Sequence, residues 1–228
     1  MIDDHPKVRF RHPRVILCEG EGDRSFFKHL IEERGLPPFD IFCPGRPYTE
    51  DGAVEGYDDM LTLFTTGHGF RDVTGILVQG DNDEQPQNKF TDIRNKIGAA
   101  EGYAPPAQPL EVVRNNGRPA LVVMMFPWVG ELGALETLCL RSAEDTHPRI
   151  RACVEAHVRC VDVSEWDLVK QHKMRLRCMM ASICKTDPNT SLVYAWSRRP
   201  IEMIPLSHSC FNQIADFLLN FDHYVTEH

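Results

Sequence analysis

Apolar positions follow two rhythms along the first part of the chain. Short unbroken runs, Val15-Ile-Leu-Cys18, 39–43, Val73-Thr-Gly-Ile-Leu-Val78 and 120–126, have the length and composition of strands buried on both faces. Between them, apolar residues recur at helical spacing. Phe26, Phe27, Leu30 and Ile31 predict a helix over 23–34 that stops at Gly35, and Met60, Leu61 and Phe64 predict another over 54–64. Sparser patterns predict helices over 90–100 and 132–140. Asn116-Gly117, set between two β-rich runs, predicts a hairpin whose second arm, 120–126, joins the main sheet.

Alternating strand and helix implies right-handed βαβ units, hence an α/β fold with a mostly parallel sheet flanked by helices. From residue 145 onward the strand rhythm gives way to helical spacing over 149–161, 166–184 and 208–221. The intervening 186–205 is loop-like, with one short strand expected at 192–196. The predicted organisation is an α/β domain over 1–144 and a helical extension or cap over 145–228.

Composition narrows the function classes. The chain has 228 residues, 42% of them hydrophobic, without an apolar run long enough to span a bilayer, so no membrane role is expected. Residues 1–14 are polar and basic and do not read as a secretory signal. Eight cysteines, with no CxxC pair and mostly in apolar periodic segments, fit a reducing compartment, and a cytoplasmic location is expected. The net charge of −8 weighs against coating long nucleic acid by charge alone but suits a site built of carboxylates. Basic patches at Lys7, Arg9, Arg11 and Arg14, at Lys170, Lys173, Arg175 and Arg177, and at Arg198 and Arg199 read first as solvated surface.

Three acidic clusters follow predicted strand ends: Glu19 with Glu21 and Asp23, then Asp81 with Asp83, then Glu131 with Glu136. In an open parallel sheet ligands bind beyond the carboxyl ends of the strands, so these clusters are expected to converge. Crowded carboxylates raise one another's pKa unless a cation neutralises them, and hard oxygen donors without His or Cys favour Mg²⁺, Mn²⁺ or Ca²⁺ over zinc. If the backbone stays extended, Asp81 and Asp83 project to one side and Asn82 to the other. Taken alone, Gly80-Asp-Asn-Asp83 also reads as an ordinary polar turn.

The segment Val15-Ile-Leu-Cys-Glu-Gly-Glu-Gly-Asp-Arg-Ser-Phe-Phe27 resembles the first motif of Toprim domains, and Ile76-Leu-Val-Gln-Gly-Asp-Asn-Asp83 resembles their second, a strand ending in Asp-x-Asp. The likeness covers roughly 14–140 and extends to small stand-alone Toprim proteins related to the overcoming-lysogenization-defect nucleases. It implies a Toprim-like (Rossmannoid) sheet with a C-terminal helical extension. It further implies Glu19 in acid–base work or metal binding, and Asp81 and Asp83 as metal ligands. Asp23, Glu136 and Lys173 match the additional Asp, Glu and Lys of the nuclease branch, with Lys185 as an alternative to Lys173. The long insert over 102–118 departs from a minimal Toprim domain.

The function so implied is Mg²⁺- or Mn²⁺-dependent phosphodiester hydrolysis on DNA or RNA. A non-catalytic module that binds metal, nucleotide or a partner is the alternative, and a small phosphoester hydrolase is a third. A dinucleotide reading of Glu19-Gly-Glu-Gly22 fails for want of a third glycine and because three carboxylates repel a pyrophosphate. Neither a haloacid-dehalogenase nucleophile nor a receiver domain matches the position and surroundings of Asp81-Asn-Asp83. Cys153, His157 and Cys160 share a predicted helix face, with His172 or Cys178 as a fourth zinc ligand, but the same spacing describes a buried stripe. Trp128 could stack a base or simply pack.

Overall fold

The structure, a computed structural model, describes residues 8–49, 52–184, 186–197 and 203–226. Its elements in chain order are β1 (Arg14–Leu17), α1 (Glu21–Arg34), β2 (Asp40–Phe42), β3 (Pro47–Thr49), β4 (Gly52–Ala53), α2 (Tyr57–Phe64), β5 (Gly75–Asp81), α3 (Pro86–Ala99), β6 (Val112–Val113) and β7 (Ala120–Phe126). The helices α4 (Leu135–Thr146), α5 (Pro148–Val161), α6 (Leu168–Ile183), α7 (Asn212–Leu219) and α8 (Phe221–Thr226) complete it. Among the described residues no helix is long and apolar enough to cross a membrane.

Five strands form one sheet in the order β2-β1-β5-β7-β6. The four longer strands run parallel, and β6 pairs antiparallel with β7 through the hairpin expected at Asn116-Gly117. The unbroken apolar runs are explained by burial on both faces. Ile16, Leu77, Val122, Met124 and Phe126 point into one core layer, shared with α1, α4, α6, α7 and α8. Val15, Leu17, Ile76, Val78, Leu121, Val123 and Met125 point into the other, shared with α2 and α3. The C-terminal helices therefore draw on the same core as the α1 face of the sheet. Their end is fixed across the whole chain by Arg14, whose Nε donates to Asp222 Oδ1 at 2.6 Å, and by the Phe39–Phe221 ring contact at 5.2 Å.

Several boundaries differ from the sequence expectation for identifiable reasons. The helix expected from 54 starts at Tyr57, because Gly56 has φ 89° and 52–53 pair as a strand with 47–49. The strand expected at 192–196 is a 3-10 turn over Leu192–Tyr194. The carbonyl of Val193 accepts from Ser25 Oγ at 2.7 Å, so a side chain of α1 satisfies it and not a neighbouring strand. The helix expected over 208–221 is two helices broken at Asn220, whose backbone and side-chain N–H groups both donate to Asp216 O.

Phe126 shows how the second half of the chain supports the sheet. Fully buried, it meets Phe26 edge-on at 5.7 Å and Phe27 at 5.5 Å. Phe126→Ala is expected to destabilise the fold by about 3–5 kcal/mol, read from urea unfolding midpoints. A loss under about 1 kcal/mol would mean the ring is not part of a close-packed core.

Candidate functional site

The carboxyl ends of β1 and β5 lie side by side, since the two strands pair in register up to Leu17 and Val78. Beyond β1 the chain turns through Glu19 and Gly20 into α1, and Asp23 reaches back to accept from Gly20 N–H at 3.1 Å. That bond fixes an acidic side chain inward at the helix start, where it complements the helix dipole. Asp23 is only 9% exposed, whereas Glu19 is exposed. β5 ends in Asp81, which faces the N-terminus of α4. Its Oδ1 accepts from Leu135 N–H at 3.3 Å and from Gln79 Nε2 at 3.3 Å.

Gln79, fully buried within an otherwise apolar strand, joins the two motifs. Its Oε1 accepts from Glu19 N–H at 3.3 Å while its Nε2 holds Asp81, and Asp81 N–H in turn donates to Glu19 Oε2 at 3.4 Å. Tyr57 supports it from the α2–α3 face by donating its hydroxyl to Gln79 O at 2.7 Å. Sequence reasoning passed over Gln79. The available signal was an amide inside a strand with both faces buried, since such a group is retained only if it is hydrogen-bonded.

Burial and like charge act together on these acids. Burial, followed by repulsion from Glu19 and Glu136, pushes the Asp23 carboxyl up to about 7, against the hydrogen bonds that favour its ionised form. Burial, then Asp23, Glu19, Glu136 and lastly Asp83, raises Asp81 well above the usual carboxylate range. The structure thus brings Glu19, Asp23, Asp81 and Glu136 into one electrostatic cluster. Their cluster-mates Glu21 and Glu131 are engaged elsewhere: Glu21 with Arg46 at 3.1 Å and Arg24 at 3.4 Å, Glu131 with Arg141 at 2.9 Å.

Asp83 departs from the expected extended alternation. Asn82 does point away, buried, with Nδ2 donating to Trp128 O at 2.7 Å and to Glu131 O at 2.6 Å. At Asp83, however, the backbone enters the left-handed region with φ 49° and exchanges two hydrogen bonds with Gly133, at 2.7 and 2.8 Å. Its carboxylate pairs with Lys89 Nζ at 2.6 Å. Gly133 has φ 124°, and a Cβ there would fall 2.2 Å from Thr137 Oγ1, so the turn needs glycine.

Helix α6 brings Lys173 to the site. Its first N–H, on Leu168, donates to Glu84 Oε1 at 3.0 Å, and His172 Nδ1 shares a hydrogen bond with Thr137 Oγ1 at 2.9 Å. Lys173 Nζ then lies 3.7 Å from Glu136 Oε1. It lines two open clefts. One, of about 580 Å³, also holds Asp83, Lys89, Asp167 and Lys170; the other, of about 560 Å³, holds Glu136, Arg177 and Asn189. Lys7, Lys185, Arg198 and Arg199 lie outside the described residues.

All donors of the acidic cluster are carboxylate oxygens, and their excess negative charge fits a hard divalent cation. Among the described residues, no three His, Cys, Asp or Glu side chains are drawn up as a closed coordination shell. That holds equally for Cys153, His157 and Cys160, whose two cysteines are exposed and free.

The raised carboxyls have a measurable consequence. A folded-state pKa above the unfolded value means that the folded chain binds more protons between about pH 4 and about pH 7, so stability falls as pH rises through that window. The melting temperature of the metal-free protein is expected to fall across it, and Asp23→Asn to flatten the fall, each kcal/mol recovered being worth about 2–4 °C at this chain length. Identical pH profiles for the two proteins would contradict the assignment.

No curated protein and no solved structure matches the chain. One family model does, over residues 13–221, a span that takes in every site residue named above. On that match, the chain belongs to the family described as "Protein of unknown function (DUF3226)".

Proposed function

We propose that this chain is a Toprim-like, divalent-metal-dependent phosphodiesterase that acts on nucleic acid. The observation that carries this reading is the meeting of Glu19 and Asp23 from the first motif with Asp81 from the second, joined through Gln79 and raised in pKa by one another. Asp81, Glu19, Asp23 and Glu136 are the residues that would hold Mg²⁺ or Mn²⁺. A metal bound there supplies charge neutralisation and an activated water for attack on phosphorus.

The residues divide the work by exposure. Glu19, the exposed acid, can reach substrate and move a proton at its carboxylate. Asp23 and Asp81, less accessible and hydrogen-bonded to backbone N–H groups, set the charge and orientation of the site. Lys173, 44% exposed, presents its ammonium where negative charge builds on the phosphate. Lys89, Lys170 and Arg177 extend this positive charge along the two clefts, which suits successive phosphates of a chain. Open clefts favour a polymer over a small metabolite. Eight free cysteines fit a reducing compartment, and the cytoplasm is the proposed location.

A second reading, a module that binds metal or phosphate without turnover, is favoured by the net charge of −8, which weakens attraction to a polyanion. One experiment separates the two. Labelled single- and double-stranded DNA and RNA are incubated with Mg²⁺ or Mn²⁺ and the wild-type protein or Glu19→Gln. Metal-dependent cleavage of at least one substrate is expected, reduced roughly 10²–10⁴-fold in the variant. Absence of cleavage in all four, with metal still bound, would favour the module.

A further inference from the structure

The Lys89–Asp83 pair changes what the site can hold. In a two-metal arrangement both aspartates of the second motif would hold ions, and each would need to be free. Asp83 is not. Its backbone is fixed by the paired hydrogen bonds to Gly133, its φ of 49° turns it out of line with Asp81, and its carboxylate is 2.6 Å from an ammonium. Lys89 sits one turn into α3, its backbone N–H bonded to Gln85 O at 3.0 Å, so the helix delivers it to this position.

We infer that Lys89 is the site's built-in second cation, so that the cluster takes one divalent ion, at Asp81, and uses a lysine where a second would sit. The electrostatics agree from both sides. Asp83 is the weakest of the four acids acting on Asp81, while the Lys89 ammonium is held protonated first by Asp83 and then by Glu19 and Asp81. Lys89 and Lys173 line the same cleft, so the two ammonium groups would flank a phosphate from the sides of Asp83 and Glu136. A tethered lysine supplies this charge without a second ion having to bind, though as a point charge it cannot activate water.

This inference rests on the metal-site reading above, and its test separates the two. Mn²⁺ is titrated calorimetrically into the full chain. Wild type is expected to bind one ion, and so are Lys89→Arg and Asp83→Asn. Lys89→Met is expected to bind two, while Asp81→Asn should bind none. Two ions in wild type, one in Lys89→Met, or none in Asp83→Asn would overturn the role of Lys89 while leaving the metal site standing. No binding by wild type would overturn both. Lys89 is 45% exposed, so its replacement leaves the core untouched, and circular dichroism of each variant confirms the fold.

Discussion

Negative charge gathered where it is poorly solvated is the constraint around which this molecule is arranged. Asp23 and Asp81 are carried by separate elements into one low-exposure region beside Glu19 and Glu136, and each raises the cost of ionising the others. A fold tolerates this only with compensation. Here it comes from oriented dipoles: Gly20 N–H for Asp23, and Leu135 N–H with the Gln79 amide for Asp81. These dipoles steer the carboxylates and offset part of the burial penalty, but leave the acids short of positive charge. A bound divalent ion would remove the remainder.

The parallel sheet makes this arrangement possible. Pairing β1 with β5 in register brings both acidic motifs out at the same edge, and β7 then delivers α4 with its N-terminus facing Asp81. The helical half of the chain contributes more than cover. Through the Glu84–Leu168 and Thr137–His172 hydrogen bonds, α6 is docked on the loops that carry the acids, and Lys173 follows from that docking. Sequence alone could offer either a packed extension or a cap for residues 145–228. The shared core of Phe26, Phe126, Leu176, Met179 and Phe211 shows α6 and α7 packing onto the α1 face.

What was legible in the sequence is what one-dimensional periodicity encodes. The buried strands read as unbroken apolar runs, the hairpin announced itself as Asn116-Gly117, and the acids of both motifs stood at strand ends. Pairings between distant residues were not legible. Nothing local marks Gln79 as the bridge between Glu19 and Asp81, or Lys89 as the partner of Asp83. The alternation rule failed at Asp83 because it assumes extended backbone, and the reciprocal bonds with Gly133, fifty residues away, impose a left-handed turn instead. The break at Asn220 was equally hidden, since helical periodicity continues through it and only the docking of Phe221 and Asp222 on Phe39 and Arg14 shows why the helix turns.

The central claim is that these carboxylates share charge strongly enough to need a cation, and carboxyl-carbon NMR titration of the full chain tests it most directly. The account predicts that, without divalent metal, the Asp23 carboxyl titrates near 7 and returns to the ordinary aspartate range when Mg²⁺ is added. Ordinary aspartate behaviour at Asp23 in both conditions would contradict it.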